Sequence, residues 1–113
     1  MKMLIVGSRC IKKFDLSEYI PNNVSLIISG GASGIDTLAE EYADTHGISK
    51  LILRPSYEQY GKFAPLERNR RMVDIADKVL AIWDGKSRGT RFTIDYAKKL
   101  EKDIVVICVS EDL

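Results

Sequence analysis

A glycine-rich segment that follows an apolar run carries the residue types best suited to binding an anion. The run Val24–Ile28 is followed by Ser-Gly-Gly-Ala-Ser-Gly-Ile-Asp, residues 29–36, and then by apolar residues at helical spacing. This pattern predicts a buried strand, a tight turn and a helix. Glycine permits positive φ and leaves no Cβ between the backbone and a ligand, while the helix start attracts phosphate. Gly30, Gly31 and Gly34 are therefore predicted ligand-binding residues, although ordinary turn chemistry would also explain them.

A second segment combines glycine with hydroxyl side chains directly before the last predicted helix. It reads Asp-Gly-Lys-Ser-Arg-Gly-Thr, from Asp84 to Thr90. Hydroxyl donors and the dipole of the following helix suit phosphate, and turn and N-cap chemistry is the alternative. The predicted ligand-binding residues of this segment are Asp84, Gly85, Ser87, Gly89 and Thr90.

Two shorter groups add polar side chains to the predicted site. Gly7, Ser8 and Arg9 follow the first apolar run, and the Arg9 guanidinium offers paired hydrogen bonds to phosphate or carboxylate. Arg68 and Asn69 lie on or beside the apolar face of a predicted helix. A buried polar group left without a partner costs about 1–3 kcal/mol. These two side chains must therefore bond either to a ligand or to nearby loop backbone.

Asp36 has two competing interpretations. Ser33 and Asp36 have the three-residue spacing of a capping box, which would make them helix-start residues. A carboxylate beside a phosphate is repelled by it, so a ribose-hydroxyl contact is the ligand role that suits Asp36. Trp83, Tyr57 and Tyr60 are the candidates for stacking on a base.

Five short, β-branched-rich apolar runs alternate with helical patterns and indicate the fold. The runs are Met3–Val6, Val24–Ile28, Lys50–Leu53, Lys78–Trp83 and Ile104–Val109. Nearly continuous apolar runs are typical of parallel strands covered on both faces. The alternation predicts an α/β fold with a doubly wound sheet of five parallel strands. Ligands bind at the carboxyl edge of such a sheet, where the strand-following segments described above would meet.

Helical spacing predicts four helices and one loop between them. The first full helix begins at Ile35 and stops before Gly47, and the last two run from about Pro65 to Ile75 and from about Arg88 to Glu101. A shorter helix is predicted from Asp15 to Ile20, with Pro21 ending it. The segment from Pro55 to Ala64 has no clear period and is predicted to be a functional or packing loop.

Composition limits the class of protein. The 113 residues are predicted to form one domain, residues 1–113. A net charge of +1 argues against a broad nucleic-acid footprint, although a local basic groove stays compatible with it. No run approaches the roughly 18 apolar residues of a membrane span, and the N-terminus lacks the pattern of a secretion signal. Cys10 and Cys108 form no metal or disulfide pattern, so we expect a cytoplasmic protein without a metal or cofactor.

Five motifs in order along the chain resemble one protein family. They are Gly7-Ser8-Arg9, the segment 29–36, Tyr60-Gly61-Lys62, Arg68-Asn69 and the segment 83–90. Over nearly the whole chain they resemble the YspA/YpsA-related branch of the SLOG superfamily, which is related to LOG enzymes and to Smf/DprA proteins. The resemblance implies a Rossmann-like fold, a three-layer α/β/α sandwich, that binds or senses nucleotides or nucleotide-derived ligands. Some members of the superfamily cleave an N-glycosidic bond.

One departure from the family pattern bears on catalysis. LOG-type enzymes and the related nucleoside deoxyribosyltransferases place a glutamate three residues after a Gly-Thr pair, and this chain has Thr93 there. Threonine cannot act as the carboxylate that glycosidic chemistry requires. Asp36 or Asp84 would have to supply that group.

Three functions follow from these observations. The leading prediction is binding or sensing of a nucleotide or nucleotide-derived small molecule. The first alternative is a nucleotide N-glycosidic hydrolase or transferase, so the sequence leaves open whether the protein is an enzyme. The second is a nucleic-acid-binding module, which the low net charge disfavours. A homodimer is compatible with a domain of this size, but no interface can be identified from the sequence.

Overall fold

A single parallel sheet of five strands organises residues 1–110, the part of the chain that this computed structural model describes. The strands are β1 (Lys2–Gly7), β2 (Leu26–Ser29), β3 (Ser49–Ile52), β4 (Lys78–Trp83) and β5 (Asp103–Cys108). They are all parallel and lie in the order β3-β2-β1-β4-β5. The predicted doubly wound sheet is confirmed, with strand ends within about two residues of the predicted ones.

Three long helices cover the sheet and match three of the predicted ones. They are α1 (Ile35–Thr45), α3 (Ala64–Ile75) and α4 (Arg88–Lys99), and the single turn α2 (Tyr57–Tyr60) lies between α1 and α3. After α1, Gly47 has a φ of 65° and stops the helix as expected. The predicted loop from Pro55 to Ala64 is wrong in part, because it contains the single helical turn α2 and then a 3-10 turn at Gly61–Phe63 that leads into α3.

The predicted helix from Asp15 to Ile20 is wrong. The segment is irregular. The Asp15 carboxylate accepts hydrogen bonds from the Ser17 backbone N–H at 3.0 Å and the Ser17 hydroxyl at 2.6 Å, as an N-cap residue would. The stretch between Asp15 and Pro21 is too short to offset the cost of starting a helix. Leu16 and Ile20 are still buried against the sheet. The segment therefore covers one face of the sheet without forming a helix.

The core has two halves, one on each side of the sheet. Alternate strand residues point to opposite faces, so Met3 and Ile5 of β1 pack with α1 and the irregular segment. Leu4 and Val6 pack with α3 and α4 on the other side. The fold is thus a Rossmann-like, three-layer α/β/α arrangement. Within residues 1–110, no helix is long and apolar enough to cross a membrane.

The strand order reverses between β1 and β4. The chain proceeds outward from β1 through β2 to β3 and then returns to β4 and β5 on the opposite side of β1. Gly7 at the end of β1 lies beside Ile82 of β4. The segments that follow these two strands are therefore neighbours, and they diverge to opposite faces of the sheet. Such a switch point leaves a crevice at the carboxyl edge.

Candidate functional site

A cleft of about 400 Å³ opens at this switch point. Its walls come from the segments after β1, β2 and β4 and from the N-terminal parts of α1, α3 and α4. The predicted site residues that line the cleft are Gly7, Ser8, Arg9, Asp36, Arg68, Asn69, Asp84, Ser87, Gly89 and Thr90. Four predicted residues do not line it: Gly30, Gly31, Gly34 and Gly85. Most of the predicted polar residues are thus brought together, whereas the glycines of the first loop lie behind them.

Ser8 joins the two segments that flank the switch point. Its buried hydroxyl accepts a hydrogen bond from the Asp84 backbone N–H at 3.0 Å. Its own backbone N–H donates to the carbonyl of Ile82 at 3.1 Å. Ser8 therefore fixes the segment after β1 against the segment after β4 at the bottom of the cleft.

Asp84 organises the loop before α4. One carboxylate oxygen accepts from the backbone N–H groups of Lys86 and Ser87, each at 2.8 Å. These bonds lower the pKa of Asp84 to about 2, so the group stays ionised at neutral pH. The other oxygen accepts from the Cys10 thiol at 3.3 Å. Two N–H groups of the predicted phosphate loop are consequently occupied by the protein itself.

The start of α4 is capped by its own residues and still borders the cleft. The Ser87 hydroxyl oxygen accepts from the Thr90 backbone N–H at 3.4 Å, as an N-cap residue does. The Gly89 carbonyl accepts from the Asn69 amide at 3.4 Å and the Thr93 hydroxyl at 3.0 Å. Thr93 is thus bonded to its own helix. Because first-turn N–H groups of a helix have no intrahelical acceptor, the α4 start remains the most suitable anion position in the cleft.

The predicted capping box at α1 is wrong. The residue before the helix is Gly34, with a φ of 74°, and no side chain caps the helix. The Asp36 carboxylate instead accepts from the backbone N–H of Ala32 at 3.1 Å, and the N–H of Gly31 donates to the Ser29 hydroxyl at 3.2 Å. A carboxylate bonded to this loop leaves its backbone poorly suited to a phosphate.

The carbonyl groups of the same loop hold two arginines. Arg68 donates from Nη1 to the Gly30 carbonyl at 2.6 Å, and Arg54 donates from Nη1 to the Gly31 carbonyl at 3.5 Å. A Cβ at Gly30 would lie 2.8 Å from Arg68 Nη1, and one at Gly31 would lie 2.9 Å from Arg54 Nη1. The two glycines therefore provide room for guanidinium groups.

Arg68 donates two further hydrogen bonds. Its Nη1 also donates to the Leu53 carbonyl at 3.3 Å, and its Nε donates to the Asn69 side-chain oxygen at 2.8 Å. From the sequence, Arg68 and Asn69 were expected to bond either to a ligand or to the backbone of a nearby loop. The loop backbone takes part of their bonding capacity, and both side chains also line the cleft.

Three charged groups influence one another at one end of the cleft. Asp36 is only 6% exposed, and burial raises its pKa against the opposing effects of the Ala32 N–H and of the Arg68 and Arg9 charges. Burial also lowers the pKa of Arg68, while Asp36 acts in the other direction and Arg9 in the same one. Only one Asp36 oxygen makes a hydrogen bond to residues 1–110. The second oxygen is a free acceptor beside the cleft.

Apolar side chains form the remaining wall. Val6, Leu66 and Met72 line the cleft, whereas Trp83, Tyr57 and Tyr60 do not. The Trp83 ring N–H donates to the Ser87 carbonyl at 3.0 Å and supports the loop from behind. The sequence signal for this wall was the helical face that Leu66 and Met72 share with Asn69. Across residues 1–110, no group of three His, Cys, Asp or Glu side chains could hold a metal ion.

Part of the chain is similar to a prophage-derived protein. The chain is 34% identical over 65 residues to the uncharacterized SPbeta prophage-derived protein YoqJ of Bacillus subtilis, a match that covers 55% of this chain and 37% of that protein. The chain thus matches little more than a third of the length of this relative. No family profile matches the chain, and no solved structure does.

Proposed function

We propose that this domain binds a nucleotide or nucleotide-derived metabolite in the cleft between the ends of β1 and β4. The observation that carries the proposal is the position of a 400 Å³ cleft at the switch point of a parallel sheet. Open α/β sheets bind their ligands there, and the volume lies within the range of small-molecule sites. The resemblance to the SLOG superfamily points to the same class of ligand.

Arg9 and the α4 start suit the phosphate of such a ligand. Gly89 and Thr90 of the first turn line the cleft, and Arg9 supplies a cation on the opposite segment. A helix start contributes N–H donors and a partial positive charge, and a guanidinium adds charge-assisted hydrogen bonds. The Asp84 carboxylate also lines the cleft, but one of its oxygens accepts from two backbone N–H groups of its own loop, which offset part of its negative charge.

Asp36 and the apolar wall suit the nucleoside part. A carboxylate oxygen without a protein partner can accept a hydrogen bond from a ribose hydroxyl. Pro65 and Leu66, which are both half-buried, offer an apolar surface for the base. The cleft therefore offers polar groups for the phosphate and the ribose and an apolar surface for the base.

A thermal-shift panel of nucleoside 5′-monophosphates tests the proposal. A ligand at a hundredfold excess over its Kd adds about 2.7 kcal/mol to the free energy of unfolding. For a chain of this length that corresponds to a rise in Tm of about 10 °C. If no nucleotide in the panel raises Tm, the proposal fails.

A pair of matched arginine variants locates the ligand. Arg9→Gln should weaken binding about tenfold or more, because a charge-assisted contact is lost. Arg91→Gln is the control, since the Arg91 side chain is 71% exposed and pairs with Asp95 across 3.8 Å on the outside of α4. Equal losses of affinity in both variants would contradict the assignment of the cleft.

A second candidate function is hydrolysis of the N-glycosidic bond of the ligand. It is favoured by two carboxyl groups lining one cleft whose pKa values are displaced in opposite directions, upward for Asp36 and to about 2 for Asp84. Such a difference is typical of a proton donor beside an ionised carboxylate. Chromatography of the incubated panel distinguishes the candidates. A hydrolase releases free base in amounts exceeding the protein and loses this activity in Asp36→Asn, whereas a binding domain returns its nucleotide intact.

A further inference from the structure

Three arginines line a small depression next to the cleft. Arg54, Arg68 and Arg71 border it together with Ser56 and Tyr60. Arg68 also lines the cleft, so the two sites share one guanidinium. The depression measures only about 10 Å³ and admits little more than one oxygen-sized group. A larger anion would lie across its opening.

None of these arginines forms an ion pair within the described part of the chain. The ion pairs formed by residues 1–110 involve other side chains, and no acidic residue lines the depression. The neighbouring Arg70 provides a contrast, since it pairs with Glu67 at 3.4 Å and faces Tyr96. Arg54 and Arg71 thus keep their full charge, and Asp36, which lines the neighbouring cleft, offsets part of the charge of Arg68.

Backbone carbonyls hold two of the three guanidiniums without cancelling that charge. Arg68 donates from Nη1 to the backbone carbonyls of Gly30 and Leu53, and its Nε donates to the side-chain oxygen of Asn69. Arg54 donates from Nη1 to the Gly31 carbonyl. A guanidinium has five N–H donors, so the Nη2 groups of both side chains remain available. A carbonyl fixes a guanidinium in place, whereas a carboxylate would neutralise it. An anion at the depression could accept hydrogen bonds from these available Nη2 groups.

We infer that this arginine depression, formed by Arg54, Arg68 and Arg71, binds a second phosphoryl group of the ligand, so that the ligand class is a nucleotide with at least two phosphoryl groups. The inference rests on the proposed function, which places the first phosphoryl group at Arg9 and the α4 start. Guanidinium groups bind phosphate by paired, charge-assisted hydrogen bonds. The shared Arg68 lies between the two positions.

The test compares adenosine and guanosine 5′-monophosphates with the corresponding 5′-diphosphates and 3′,5′-bisphosphates by calorimetric titration. The wild-type protein should bind at least one two-phosphate ligand about tenfold or more tightly than its monophosphate. In the double variant Arg54→Gln/Arg71→Gln, this preference should fall to about twofold or less, while the Kd of the monophosphate stays nearly constant. Both side chains are exposed, so the variant should keep the wild-type Tm.

Arg70→Gln is the matched control, because it removes one positive charge from the same helix outside both sites. It should retain the tenfold preference. Equal affinity of wild type for monophosphates and two-phosphate ligands would overturn the second subsite and leave the proposed function standing. An equal loss of preference in Arg70→Gln and in the double variant would likewise overturn the second subsite and leave the proposed function standing. Failure of every nucleotide to bind would overturn both.

Discussion

Gly30→Ala tests whether the first glycine-rich loop holds an arginine or cradles a phosphate. The φ of Gly30 lies outside the left-handed region, so the backbone accepts alanine. A methyl group there would lie 2.8 Å from Arg68 Nη1 and 3.0 Å from Asp36 Oδ2. Ordinary contacts begin near 3.4 Å, so the guanidinium must move by roughly 0.6 Å. This displacement disrupts the 2.6 Å bond to the Gly30 carbonyl.

The size of the effect follows from that bond. A hydrogen bond from a charged donor contributes about 1.5–3 kcal/mol, and the half-buried position of Arg68 favours the lower part of the range. We expect Gly30→Ala to lower the free energy of unfolding by about 2 kcal/mol and Tm by about 8 °C. Gly89→Ala is the control, because its Cβ would meet only Asn69 Nδ2 at 3.9 Å. That variant should be neutral or slightly stabilising, since alanine favours a helix over glycine.

A double-mutant cycle with Arg68→Gln isolates the cause. If the methyl acts by displacing the guanidinium, Gly30→Ala should cost less than about 0.5 kcal/mol once the guanidinium is absent, a coupling of about 1.5 kcal/mol. Urea denaturation of the four proteins measures it. The same cost of about 2 kcal/mol in both backgrounds would refute the reasoning. A phosphate cradle predicts another result, a loss of nucleotide affinity at unchanged stability.

Three further predictions concern the groups around the cleft. Asp84→Ala should lower the free energy of unfolding by about 1 kcal/mol at neutral pH, because two N–H groups lose a partly exposed acceptor. Since the folded pKa is lowered to about 2, this contribution is present above pH 3.8 and is lost as the pH falls through about 2. A pH-independent difference in Tm would contradict it. Asp36→Asn should show the opposite pH dependence. Because the folded pKa of Asp36 is raised, the wild type is most stable relative to the variant below pH 3.8 and loses that stability as the pH rises through the folded pKa. Thermal denaturation at several pH values would follow this change. Gly34→Ala should cost more than about 3 kcal/mol and yield little folded protein by circular dichroism, because its Cβ would lie 2.5 Å from the carbonyl oxygens of Ser8 and Arg9 at a φ of 74°. Gly47→Ala, which meets nothing within 4 Å at a φ of 65°, should cost only about 1–2 kcal/mol.

Local patterns were reliable wherever one physical signal acted alone. The strand Lys78–Trp83 was predicted without error, because its short, continuous apolar run is typical of a parallel strand covered on both faces. The helix predicted at Asp15 is absent, since the stretch before Pro21 is too short to offset the cost of starting a helix even with an N-cap bond in place. Ser33 and Asp36 failed for a related reason. Their spacing matches a capping box, but the positive φ of Gly34 displaces the helix start and directs the carboxylate to Ala32.

The sequence by itself determined the doubly wound sheet, because short apolar runs alternate with helical patterns. It also determined which polar residues lie at the carboxyl edge of that sheet, because they directly follow the predicted strands. Only the tertiary structure decided what each polar group does there. Gly30 contacts Arg68 of α3, which is 38 residues away along the chain, and Gly31 contacts Arg54 of the segment after β3, which is 23 residues away. Backbone N–H groups that the motif offered to a phosphate are bonded to Asp36, Asp84 and Ser29. The arginines that bond the loop carbonyls come from distant segments, and the nearby side chains reach the N–H groups only in the folded loop conformation, so residue spacing alone predicts neither.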